Sequence, residues 1–93
     1  MTAEQNTACE TVSQQARTAQ AARAVAARSL ADDALIIYNA AISASADATA
    51  AAGLDPANDT LASAANIAVD VRTEKHCIWE CLDAHATHLE GLI

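Results

Sequence analysis

The sequence predicts an all-α fold, a long antiparallel helical hairpin, and three observations carry that prediction. Neither Gly nor Pro occurs between Thr2 and Ala52. The only strong interruption in the chain is Ala52-Gly53-Leu54-Asp55-Pro56. Beyond it, apolar residues recur at alternating steps of three and four. A connection that short forces its two flanking helices to lie antiparallel. The expectation is a single domain over 1–93, with helix one at about 3–52, a turn at 53–55 and helix two at about 56–91.

Helix one is favoured by its alanines, the best helix formers. A faint N-cap pattern at Ser29-Leu30-Ala31-Asp32 offers an alternative, a three-helix bundle with a break near Ser29. At the turn, Gly53 is expected to close helix one in the left-handed conformation. Asp55 is expected to cap helix two, with Pro56 in its first position and Asp59 complementing its dipole.

In helix two the seam reads Leu61, Ala64, Ala68, Val71, Lys75, Ile78, Leu82, His85, Leu89, Leu92. Its counterpart near the turn is Leu30, Ala34, Ile37, Ala41, Ala44, Ala48, Ala51, continued toward the N-terminus by Ala8, Val12, Ala19, Ala22 and Ala26. Steps of four around Leu30 predict a local change of supercoil. Folding about Leu54 pairs positions whose numbers sum to about 108. That sets Ile37 against Val71, Leu30 against Ile78, and Asp33 against Lys75 as an ion pair fixing register. Residues 1–15 then overhang the end of helix two.

Composition limits what such a chain does alone. The 93 residues are 53% hydrophobic, yet about half of those are alanine, and there is no Phe. Burial worth roughly 25 cal/mol per Å² must offset about 1.5 kcal/mol of ordering entropy per residue. Two alanine-rich helices do that poorly, which points to self-association or a larger partner. Leu35, Ile36, Tyr38 and Ile42 lie off the expected seam, so the middle of helix one is apolar on several sides. With Leu30, Ile37 and Trp79 they form the expected interface of a homodimeric four-helix bundle.

Net charge is −7 with one lysine, which argues against nucleic acid and against an anionic membrane. No apolar run is long enough to span a bilayer and no signal sequence opens the chain, so a cytoplasmic, reducing location is expected. Three cysteines fit a secreted disulfide framework poorly. Arg17, Arg23 and Arg28 read as a solvated face pairing with acids on a neighbouring helix.

One constellation could carry chemistry. Cys77, Cys81, His85 and His88 fall within a sector of about 80° on a helix, with spacing Cys-x3-Cys-x3-His-x2-His. Thiolates and imidazoles suit zinc or copper. Along one helix, however, the set spans about 16 Å, so one ion takes only an i, i+4 pair and needs ligands from another chain. No glycine-rich loop or oxyanion hole accompanies any Cys–His pair, so no enzyme and no cofactor is expected. The expected function is that of an acidic helical protein binding itself and another protein, a regulator, adaptor or inhibitor of the kind bacteria and their phages encode. The alternative is a metal-binding bundle built on the Cys/His stripe.

Overall fold

The computed structural model describes residues 2–93 and contains two helices, α1 (Ala3–Leu54) and α2 (Asp59–Gly91). They pack against each other as a hairpin measuring 82 × 15 × 13 Å. Its radius of gyration is 22.7 Å, against about 12 Å for a compact domain of this length.

The N-terminus of α1 is fixed by a reciprocal capping box. Gln5 N–H donates to Thr2 Oγ1 at 3.3 Å, and Thr2 N–H donates to Gln5 Oε1 at 2.9 Å. From there α1 runs unbroken through an exposed Ser29 to Leu54, which removes the three-helix alternative.

The turn differs from expectation in its chemistry. Gly53 is helical, and no glycine among the described residues has positive φ. Pro56 ends α1 instead: its ring drives the preceding residue out of helical space, and Asp55 sits at φ −139°, ψ 73°. Asn58 N–H donates to the Asp55 carbonyl at 3.0 Å, closing a tight turn with Pro56 at its second position. Asn58, rather than Asp55, caps α2. Its Oδ1 accepts from the backbone N–H groups of Thr60 and Leu61 at 3.1 and 3.2 Å. Asp59 occupies the first turn, as its dipole requires.

Moving the turn from Leu54 to Pro56–Ala57 moves every pairing between the helices. Ala27 and Ala31 meet Ala86, with Leu82 and Leu89 packed around them, and Tyr38 meets His76 and Trp79. The expected Asp33–Lys75 pair does not form; Lys75 Nζ lies 3.9 Å from Glu74 on its own helix. The overhang is longer than expected, with residues 2–20 exposed throughout; Met1 lies outside the described residues.

The stripe facing α2 is Ala24, Ala27, Ala31, Ala34, Tyr38, Ala41, Ser45, Ala48, Ala52. Its steps alternate between three and four without a break, the period of a left-handed supercoil, so no register change occurs at Leu30. On α2 the matching stripe is Leu61, Ala65, Ala68, Arg72, Lys75, Trp79, Leu82, Ala86, Leu89. Of the expected seam, Leu30, Ile37, Ala44, Ala64, Val71, Ile78, His85 and Leu92 are exposed instead. Every buried residue is Ala, apart from Ser45. The α1 side of the contact is mostly methyl-sized, and Leu61, Trp79, Leu82 and Leu89 of α2 pack against it, half-buried.

Candidate functional site

With alanine making most of the α1 side of the contact between helices, many bulky aliphatic side chains are carried on the outside. Residues seven apart return to the same side of a supercoiled hairpin, so the heptad step sorts them into faces. On one flank α1 contributes Leu30, Ile37, Ala44 and Ala51. Beside them α2 contributes His85, Ile78, Val71 and Ala64, in that order. Leu30 and His85 border one shallow groove together with Arg23 and Leu89, which anchors the pairing. Leu30 is 58% exposed, Ile37 52%, Ile78 42% and Val71 39%. From Leu30 to Ala51 this flank carries no carboxylate, lysine or arginine along its centre.

The opposite flank is polar at its open end. Arg28 donates from Nη1 to Asp83 Oδ1 at 2.6 Å and from Nη2 to Glu90 Oε1 at 2.7 Å. Its Nε reaches Glu90 Oε2 at 3.3 Å and Nη2 reaches Thr87 Oγ1 at 3.2 Å. This is the pairing with acids on a neighbouring helix that the arginine series predicts, made within one chain. The fork holds the Glu90 carboxyl below the usual carboxylate range, chiefly through its hydrogen bonds. It also keeps the Arg28 guanidinium still more firmly protonated. Arg28 thereby ties the last turns of α2 to the middle of α1.

Midway along the hairpin, Tyr38 stacks on Trp79 with centroids 5.9 Å apart and meets His76 edge-on at 5.0 Å. His76 Nε2 lies 3.2 Å from Glu80. Ile42, Arg72 and Thr73 complete an open groove beside them, of about 390 Å³. The three rings are half-buried.

The seven residues expected to form one interface are therefore divided. Tyr38 and Trp79 face each other inside the hairpin. Leu35, half-buried, and Ile42 lie on the Arg28 flank. Leu30 and Ile37 lie on the apolar flank, and Ile36 points away from α2 altogether. Sequence reasoning assigned Val71, Ile78 and His85 to the inside of the hairpin. The signal that places them outside is the alanine stripe one position away on α1, which permits closer approach than the leucine and isoleucine stripe does.

Cys77, Cys81, His85 and His88 are all exposed on α2, and Cys9 is exposed on α1. Among the described residues no group of three or more His, Cys, Asp or Glu side chains converges to hold a metal. Beside His85, α1 offers Arg23, Ala26, Ala27 and Leu30. Among the described residues no helix is long and apolar enough to cross a membrane.

No protein-family model matches this sequence, and no curated protein and no solved structure matches it either.

Proposed function

We propose that this chain is a non-enzymatic helical module that acts through protein–protein contact, assembling with a second copy into a four-helix bundle that serves as a regulator, adaptor or inhibitor. The observation that carries this reading is the placement of the branched aliphatics: α1 presents mainly alanines to α2, while Leu30, Ile37, Val71 and Ile78 stay exposed. Such an arrangement leaves the chain short of buried area. It exposes 6505 Å², whereas a compact monomer of this mass exposes about 5,100 Å². The excess, about 1,400 Å², is more than one partner's share of a standard interface, about 800 Å². Three free cysteines fit a reducing, cytoplasmic setting.

Native mass spectrometry on the reduced protein tests the reading, with Ile37→Asp and Ile36→Asp as a matched pair. The expected result is a metal-free dimer. Ile37→Asp, on the apolar flank, reduces it to monomer, while Ile36→Asp, on the outer face, leaves it a dimer. A monomeric wild-type chain would sink the assembly. Zinc or copper at fixed stoichiometry would move the function to Cys77, Cys81, His85 and His88.

A further inference from the structure

We infer that the second copy packs on the flank of Leu30, Ile37, Val71 and Ile78 with the two turns at the same end, so that the two N-terminal arms emerge side by side. This rests on the homodimer reading and adds to it the surface used, the orientation and a role for the arm.

Two symmetric arrangements bring this flank face to face with itself. In one the turns coincide, and each α1 lies along the α2 of the other copy. In the other the turns are at opposite ends, and α1 lies along α1. Both keep neighbouring helices antiparallel, so charge and coverage decide between them.

Charge separates them along the outer edge of the contact. With turns together, Asp33 meets the level of Cys81 in the other copy, and Asp47 meets Ile67. Glu74 then lies opposite Ala40, so no two carboxylates face each other. With turns apart, in the register that sets Leu30 and Ile37 against alanines, Asp33 falls beside Asp47 and Glu74 beside its own copy. Like charges opposed at an interface rim are unfavourable, the more so for a chain of net charge −7.

Coverage points the same way. Residues 2–20 extend past the end of α2 and are exposed throughout. Their apolar side chains, Val12, Ala16 and Ala19 with Cys9, continue the three-and-four spacing of the Leu30–Ile37 flank. With turns apart, each arm runs beyond the other copy into solvent. With turns together, the two arms run parallel. In a square bundle with neighbouring axes 8–10 Å apart they start about 11–14 Å from each other. A small lean closes that gap, and the two Cys9 side chains meet across the symmetry axis.

Cys9 therefore serves as a reporter. In the full chain carrying Cys77→Ser and Cys81→Ser, mild oxidation with diamide should link most of the dimer through Cys9, independently of concentration wherever the dimer is intact. Cys9→Ser should abolish the linkage. With turns apart the two sulfurs lie about 90 Å apart, farther than the 82 Å length of one hairpin, and no linkage forms. A second readout uses a spin label at Leu54→Cys in a chain whose native cysteines are Ser. Turns together give a label separation near the width of one bundle; turns apart give one of about 40 Å. A dimer by native mass with neither signal overturns the orientation and leaves the homodimer standing. A monomer overturns both.

Discussion

A Cβ added at Gly53 meets nothing within 4 Å, and the residue is helical, so its glycine character is unused in this fold. Gly53→Ala is therefore expected to stabilise the chain by about 0.4–1 kcal/mol, through lower entropy of the unfolded state and better helix propensity. Thermal denaturation followed by circular dichroism checks it; a loss of stability would mean that a left-handed Gly53 forms in solution. Arg28 supplies the contrasting case, a side chain whose contacts matter and whose effect depends on pH. Glu90 is held below its usual range by Arg28. That contact is thus at full strength above the ordinary carboxylate range and is lost as pH falls through the lowered value. Other acids titrate in the same window, and relief of net negative charge acts the other way. The informative quantity is the difference between wild type and Arg28→Gln. The melting temperatures should differ at neutral pH and converge on acidification.

For the helices, the decisive property is how closely they approach. Ala31 is 1% exposed and Ala86 0%, and they meet across the hairpin. Ala31→Leu forces the axes apart and should cost about 1–3 kcal/mol, although leucine is nearly as good a helix former as alanine. Denaturant titration measures it; a neutral result would show that the hairpin contact is loose. The same property explains what the sequence disclosed. The two helices, their antiparallel course and the turn between Ala52 and Asp59 were legible from the Gly- and Pro-free run and the single Pro56. The inward stripes were legible only in part: Ala34, Ala41 and Ala48 on α1 and Leu61, Ala68, Lys75, Leu82 and Leu89 on α2 belong both to the expected seam and to the observed stripes. α1 carries two stripes with the same three-and-four spacing, one of alanine and one holding Leu30 and Ile37, and hydrophobicity favours the larger. Closeness of packing selects the smaller, and nothing in the periodicity alone reports that. Register failed for a separate reason. Centring the turn on Leu54 rather than on Pro56–Ala57 shifts each cross-helix pairing, which is why Arg28 rather than Asp33 makes the interhelical ion pairs. The candidate surface was half legible: Leu30 and Ile37 were named for it, while Ile78, Val71 and His85 were assigned to the interior.

Taken as one object, the protein is a rod of 82 × 15 × 13 Å with no large side chain fully buried among the described residues. Most helical stability in proteins comes from tertiary packing rather than propensity, and in the homodimer proposed above the missing packing lies between chains. Stability should accordingly be linked to concentration: diluting the protein through its dimer dissociation range lowers the melting temperature, and Ile37→Asp removes the dependence. A melting temperature unchanged by dilution in a chain shown to be monomeric would mean that the hairpin is self-sufficient. The alanine-lined interior has an experimental consequence of its own. Scanning mutagenesis to alanine ordinarily mixes two losses, of fold and of binding, and much effort goes into separating them. In α1 most positions that hold the hairpin together are alanine already and are silent in such a scan. The positions on α1 that respond would, in the main, map where this molecule touches something else.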